Sequence, residues 1–296
     1  MEAVDLKSLR VGALLNTESG SCDRDAEALM RDCLREGGVA PAQVWCGGGA
    51  EVERSLDEAM AAELDVLIVV GGDGTIRAAA QRCSSGRLLL APLPGGTMNM
   101  LAKALYGSRS WSDALRDTLA APVVQEVHGG EVEGHRFFVA ALFGEPTRVA
   151  EAREAVREGD LPAALSKGVV ALRKALSAEI GYRFGDQLSG SAEVVAVMCP
   201  LTSAALADED EVLEAAAIDL DGPLDAFRLG LAAAFADWRA DPTVARAKLT
   251  KFELSHTHEI PALLDGERFM LRPRATVSLI KGGFRALTPA DEPHPG

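Results

Sequence analysis

Residues 66–75, Val-Leu-Ile-Val-Val-Gly-Gly-Asp-Gly-Thr, restrict the fold more than any other stretch of this chain. Val66–Val70 is apolar at every position and largely β-branched, with no polar residue alternating along it. That is the pattern of a strand covered on both faces, at home in a parallel sheet flanked by helices. It breaks at once into Gly71-Gly72-Asp73-Gly74-Thr75, after which helical spacing runs over Ile76–Cys83. The neighbouring sequence repeats this rhythm. Val11–Leu15 reads as a strand and Asp23–Arg35 as a helix, with apolar residues at Ala26, Leu29, Met30 and Cys33. Val39–Cys46 and Val52–Leu64 form a second strand–helix pair, and Leu88–Ala91 with Met98–Leu105 another. Such alternation predicts an α/β domain with a parallel sheet and right-handed crossovers.

After Pro122 the texture changes. Strand-like stretches at Val123–Val127, Arg136–Leu142, Glu193–Cys199, Leu249–Leu254 and Thr276–Ile280 are separated by turns. Helical patterns at Arg148–Arg157, Ala163–Leu176 and Leu229–Arg239 interrupt them. The expectation is an α/β domain over residues 1–121, a mostly β, sandwich-like domain with inserted helices over 122–289, and a loose tail at 290–296. A length of 296 residues suits two domains of roughly 100–200 residues each.

Charge narrows the partners. Lys plus Arg number 30 and Asp plus Glu 44, a net −14, which disfavours nucleic acid because binding it relies on neutralising phosphates. Residues 205–225 hold eight acids and no base, whereas 246–285 hold eight bases against four acids. The basic stretch could face a membrane surface, with Arg268, Arg272 and Arg274 near its centre. The five cysteines show no C-x-x-C spacing, so neither a disulfide framework nor a zinc site is indicated and a reducing cytosol fits. The start lacks the basic-then-apolar order of a signal peptide, and no run approaches 18 apolar residues, the threshold for a spanning helix. These features describe a soluble cytoplasmic protein with, at most, peripheral contact at the inner membrane face.

In parallel α/β sheets ligands bind beyond the carboxyl ends of the strands. Four junctions belong on that edge: Asn16-Thr17-Glu18-Ser19-Gly20, Cys46-Gly47-Gly48-Gly49, Gly71-Gly72-Asp73-Gly74-Thr75 and Pro94-Gly95-Gly96-Thr97-Met98-Asn99. Glycines let a ligand approach the backbone, and a helix N-terminus offers N–H groups and a positive dipole end to phosphate. Asp73 would repel an anion unless a Mg²⁺ lay between them. The plain structural reading makes these loops tight turns with Asp73 as an N-cap. Neither G-x-G-x-x-G nor a Walker P-loop is present, since Arg77 stands at the third glycine position and no G-x-x-x-x-G-K-[ST] occurs.

Gly71–Thr75, then Pro94-Gly95-Gly96-Thr97-Met98-Asn99, then the late Asp265-Gly266-Glu267 together resemble the diacylglycerol kinase catalytic family, which includes sphingosine kinases and soluble bacterial lipid kinases. Asn16–Gly20 resembles that family's N-P-x-S-G turn, Phe137–Glu154 its variable middle segment, and Asp221–Asp225 its D-G-x-L-D turn. The resemblance implies an N-terminal domain like that of phosphofructokinases and NAD kinases, and an ATP- and Mg²⁺-dependent kinase acting on a lipid hydroxyl such as that of diacylglycerol. ATP would meet Asn16, Ser19, Gly20, Gly71, Gly72, Asp73, Gly74, Thr75, Ile76, Arg77, Gly96, Thr97 and Asn99. Asp73 would act through Mg²⁺, and Glu267 with Asp265 beside it would accept the hydroxyl proton. A second Mg²⁺ would sit on Asp221 and the carbonyls of Ile218 and Pro223. Thr17, Arg77 and Met100 depart from frequent family residues, and 200–215 matches poorly.

Several features have plainer readings. Asp265-Gly266 is also a hairpin-turn signal of type I′. The acids at 208–214 read as a solvated loop. His256-Thr257-His258 alternates along a strand candidate, which would put both rings on one face, but no third ligand is evident, favouring a surface role. Lys167, Arg173 and Lys174 on the 163–176 helix could touch a membrane, although such a stripe is usually core-facing. Two rival functions stand beside the lipid kinase: an NAD kinase-like enzyme, and a silent nucleotide- or lipid-binding regulator. A homodimer is left open.

Overall fold

The computed structural model describes residues 2–22, 25–84, 86–144, 179–186, 188–203, 205–206, 211–218 and 244–290. The chain forms two compact units: residues 1–129 with 281–296, and residues 130–280. The return of the C-terminal segment to the first unit is a feature that a linear division of the sequence does not contain.

The first unit begins with β1 (Glu2–Ala3) and β2 (Val11–Asn16), then α1 (Ala26–Glu36), β3 (Gln43–Gly47) and α2 (Ala50–Ala61). It continues with β4 (Val66–Gly71), α3 (Asp73–Cys83), β5 (Leu89–Pro94), α4 (Met100–Tyr106), α5 (Trp111–Ala120) and β6 (Pro122–Val132). β3, β2, β4 and β5 pair in that order, all parallel. Every residue of β4 and β5 is buried, as an apolar run covered on both faces requires. Register places Leu15 beside Val70 and Gly71 beside Pro94, so β2, β4 and β5 end along one edge. α3 starts at Asp73, three residues earlier than its apolar spacing suggests. α5, which carries no motif, is capped by the Ser110 hydroxyl accepting from the Asp113 N–H at 3.2 Å and buries Trp111, Ala114 and Leu115.

The second unit contains β7 (His135–Phe137), β8 (Ala140–Gly144), β9 (Ile180–Phe184), β10 (Leu188–Ala192), β11 (Val194–Met198) and β12 (Leu213–Ile218). β13 (Ala245–Leu249), β14 (Lys251–Ser255), β15 (Ile260–Leu264) and β16 (Glu267–Leu271) follow, and the long β17 (Arg274–Pro289) ends the described chain. One sheet has the order β13-β12-β11-β8-β15-β16, and β10-β9-β14 joins the first half of β17 in another. All these pairings are antiparallel. Alternate residues of both sheets, among them Phe143, Val197, Ala215, Leu264, Phe184, Phe252 and Val277, share one buried core. That is the inward-facing alternation of a sandwich. From Lys281 onward β17 belongs to the first unit, where Arg285 and Ala286 pair in parallel with Leu89 and Leu90 of β5.

Three expectations need correction. The strand expected over 136–142 is interrupted between β7 and β8. Glu214 is not in a solvated loop: it lies in β12, only 3% exposed, and accepts a hydrogen bond from the buried Ser203 hydroxyl. His256–His258 lies in the turn between β14 and β15 rather than on a strand. The helices expected at 148–157, 163–176 and 229–239 lie outside the described residues. Among the described residues, no helix is long and apolar enough to cross a membrane.

Candidate active site

In the first unit the turns 16–20, 71–75 and 94–99 meet at the carboxyl edge of the sheet because their strands end in register. Backbone and side chains tie them together. The Gly95 N–H donates to the Gly71 carbonyl at 2.8 Å and the Ser21 N–H to the Gly95 carbonyl at 3.0 Å. Asn16 joins two turns: its Nδ2 donates to the Thr75 hydroxyl at 2.9 Å, while its Oδ1 accepts from the Glu18 N–H at 3.0 Å. Asn99, in the left-handed region at φ +51°, closes a ring on Gly96. Its Oδ1 accepts from the Gly96 N–H and its Nδ2 donates to the Gly96 carbonyl, each at 2.7 Å.

The glycines here are required by contact. A Cβ on Gly95 would lie 2.7 Å from the Gly71 nitrogen, and one on Gly96 would lie 2.7 Å from the Gly72 Cα. The fourth turn is different. A Cβ on Gly48 would strike the Glu18 side chain at 2.5 Å, so Glu18 covers the 46–49 turn. Glu18 is a residue that the motif reading passed over.

Asp73 is not the N-cap of its own helix. Gly72 holds that position and α3 has no side-chain cap. Asp73 Oδ1 instead accepts the Met100 N–H at 2.7 Å, which joins the start of α3 to the start of α4. An uncapped first turn keeps its N–H groups for water or a ligand. Ile76 contributes little beyond packing, for its side chain is fully buried and its N–H is bonded to the Gly72 carbonyl at 3.0 Å. Ser19 is buried and Thr97 exposed. Met98 and Met100, on either side of Asn99, are 46% and 36% exposed.

Asp265, Gly266 and Glu267 belong to the second unit. Asp265 and Gly266 join β15 to β16 with φ values of +47° and +87°, the two positive values of a type I′ hairpin. The Asp265 carboxylate accepts three backbone N–H groups: Phe138 at 2.7 Å, Val139 at 2.9 Å and Ala140 at 3.0 Å. Its own N–H donates to the Ala140 carbonyl at 2.9 Å. Glu267, half-buried, opens β16 opposite Leu264. The Cys199 thiol is pushed up by burial and then by the Asp265 charge.

Ile218 ends β12, whereas Asp221 and Pro223 lie outside the described residues. Among the described residues, no group of three or more His, Cys, Asp or Glu side chains could hold a metal ion. His256 and His258 interact with each other, the His258 N–H lying 3.2 Å from His256 Nδ1. Arg268, Arg272 and Arg274 are exposed, and Arg272 Nε donates to Glu133 at 3.0 Å.

Residues 10–132 match the family of the diacylglycerol kinase catalytic domain. Two Pseudomonas aeruginosa proteins named "Probable lipid kinase YegS-like" are similar over 130 residues. The one from strain PAO1 is 36% identical and the one from strain UCBPP-PA14 is 41% identical. Each match covers 43% of this chain and 40% of the relative, so the chain spans about two fifths of the length of the curated proteins it matches. A solved diacylglycerol kinase from Bacillus anthracis str. Sterne superposes with a TM-score of 0.67 at 14% identity, covering 95% of this chain and 97% of its own. Another structure from that organism gives 0.70 at 19% identity over 95% and 98%. At these identities the structures establish the fold.

Proposed function

With residues 10–132 matching the family of the diacylglycerol kinase catalytic domain, we propose that this protein transfers the γ-phosphoryl group of ATP to the hydroxyl of a lipid, diacylglycerol or a similar alcohol. The observation carrying this reading is the set of three turns tied at one sheet edge, with glycine backbones in contact beside the uncapped start of α3. Such a surface suits a polyphosphate: Asp73, Gly74 and Thr75 open a helix that has no side-chain cap, and the dipole favours negative charge. A carboxylate in that turn suits a divalent cation, since Asp73 is fixed through one oxygen by the Met100 N–H. These residues therefore fit Mg-ATP, with Asp73 holding the cation through its water shell. Bound Mg²⁺ would supply charge neutralisation between the phosphates.

Phosphoryl transfer passes through a loose transition state, so positioning and charge neutralisation matter more than a strong base. Asn16, Thr75 and Asn99 then serve mainly to hold the turns in place, because their polar atoms are bonded across the loops. Glu267 receives the proton of the lipid hydroxyl as its oxygen bonds the γ-phosphorus and the bond from that phosphorus to the β-phosphate oxygen breaks, releasing ADP. A second Mg²⁺ on Asp221 with the carbonyls of Ile218 and Pro223 belongs to the same reading, as does brief contact of Arg268, Arg272 and Arg274 with a membrane surface.

The test is transfer of radiolabelled γ-phosphate from ATP to extracted cell lipids, with NAD offered in parallel and the labelled species identified. A labelled lipid is expected. Label on NAD would favour the NAD kinase-like alternative, and none on either would favour a silent regulator. Glu267→Gln should leave ATP binding measurable and lower turnover by about 10²–10⁴-fold. A change in ATP affinity alone would remove Glu267 from the proton-accepting role.

A further inference from the structure

We propose that Asp265 is a positioning residue: its carboxylate gathers the N–H groups of Phe138, Val139 and Ala140 and so fixes the turn that presents Glu267. This rests on reading Glu267 as the proton acceptor, and it assigns Asp265 a different task from its neighbour.

The reasoning starts at the break between β7 and β8. Phe138 and Val139 have side chains 0% and 3% exposed, so the chain there is buried, yet neither residue belongs to a strand. Buried N–H groups outside a ladder need another acceptor. Asp265 provides it, with Oδ2 taking Phe138 and Oδ1 taking Val139 and Ala140. Successive N–H groups converging on one anion form a nest. The break is tied elsewhere as well, because the Val139 carbonyl accepts from the Cys199 N–H at 2.9 Å and from the Thr202 hydroxyl at 2.7 Å.

Three donors occupy most of the roughly four lone-pair sites of a carboxylate. They also stabilise its ionised form. Both effects make Asp265 ill-suited to take a proton from a substrate hydroxyl. Its geometry suits another purpose. Asp265 holds φ +47°, a region uncommon for a residue with a side chain, and the three bonds keep it there. Glu267 is two residues further on, so its backbone start is set by this turn.

Two variants separate the roles. Asp265→Asn keeps the size and removes the charge. Gly266→Ala keeps the carboxylate but puts a side chain at φ +87°, where nothing lies within 4 Å of the new Cβ, so only the turn backbone is disturbed. With dioleoylglycerol in phosphatidylcholine vesicles, both should lower kcat by about tenfold or more, since small misplacements of a reacting group are costly. KM for ATP should stay within about twofold, and the acidic limb of the kcat–pH profile should stay in place, because the proton acceptor itself is unchanged.

Hydrogen–deuterium exchange of peptides covering 136–142 should become faster in Asp265→Asn. Unchanged exchange there overturns the clamp. Loss of the acidic limb in Asp265→Asn, with the limb intact in Gly266→Ala, makes Asp265 the proton acceptor and overturns the assignment. If Asp265→Asn does not fold, Gly266→Ala decides: a lowered kcat at constant KM supports positioning, and normal kcat defeats it. If the wild-type protein phosphorylates no lipid, the kinase reading fails and the exchange result alone decides the clamp.

Discussion

Asp73-Gly74 and Asp265-Gly266 are the same dipeptide put to opposite uses. In the first unit the pair opens a helix, and Asp73 reaches 27 residues ahead to a single N–H, that of Met100. In the second unit the pair closes a hairpin, and Asp265 reaches back 125 to 127 residues to three. Among the described residues one donor holds Asp73, and that bond is exposed, whereas the Asp265 cluster lies beside the buried Phe138 and Val139. A carboxylate with one donor is oriented and can still serve a cation. A carboxylate with three is part of the backbone framework. Sequence identity at the dipeptide says nothing of this; the number of long-range N–H groups that meet the carboxylate decides it.

The largest test of this contrast is at Asp73. Asp73→Asn can still accept the Met100 N–H but carries no charge, whereas Asp73→Ala loses both. If the charge matters because it holds a cation against the phosphates, both variants should lose phosphoryl transfer by on the order of 10²–10³-fold or more, as when a group stabilising transition-state charge is removed. Asp73→Ala should in addition lose about 1 kcal/mol of stability from the missing bond, read by urea unfolding. Near-normal transfer in Asp73→Asn would reduce Asp73 to a link between α3 and α4.

The first unit was easier to read in the sequence, for physical reasons. Val66–Val70 needs cover on both faces, and the glycines at 71–72 and 95–96 mark backbone contact. Both signals are local. The misjudged boundaries have local causes too. Asp73 lies at the polar start of α3, where apolar spacing has not begun. β5 runs to Pro94 through Pro92, which discourages a strand reading. It is tolerated where the ladder to β17 reaches only Leu89 and Leu90. In the second unit the deciding interactions are remote. The break at Phe138–Val139 depends on a carboxylate more than 120 residues away, and Glu214 is buried because of its place in β12 and its bond to Ser203. No window of sequence holds both Phe138 and Asp265, and Glu214 owes its place to sheet pairing with Met198 and Lys248.

A smaller effect should follow from the glycine contacts in the first unit. Gly95→Ala would place a methyl 2.7 Å from the Gly71 nitrogen and 2.9 Å from its Cα. Both are backbone atoms with no side chain able to yield, so the turns must move apart at a cost of about 1–3 kcal/mol. Gly20→Ala is the control, since nothing lies within 4 Å of its new Cβ, and its effect should stay within about 0.5 kcal/mol. Urea unfolding compares the two. Equal stabilities would mean that the 71–72 and 95–96 turns are not in contact in solution, and the proposed phosphate surface would lose its basis.

The smallest effect is read from two cysteines, one in each unit. The Cys46 thiol is pushed from its ordinary 9.0 up to about 11, first by burial and then by the Glu27 charge and hydrogen bond, although the residue itself is exposed. Only the thiolate is alkylated, so at pH 8 a rise of this size lowers the reactive fraction by about 100-fold. Iodoacetamide labelling of Cys46 should therefore be slow at pH 8 and climb steadily towards pH 11. Glu27→Gln should move that curve to lower pH without bringing it to 9.0, because burial remains the larger cause. Cys199 is fully buried beside Asp265, and it should stay unlabelled across the same range until the second unit opens. Early labelling of Cys199 in Asp265→Asn, with Cys46 unchanged, would show that the three-donor turn seals its unit while the 46–49 turn of the other remains intact.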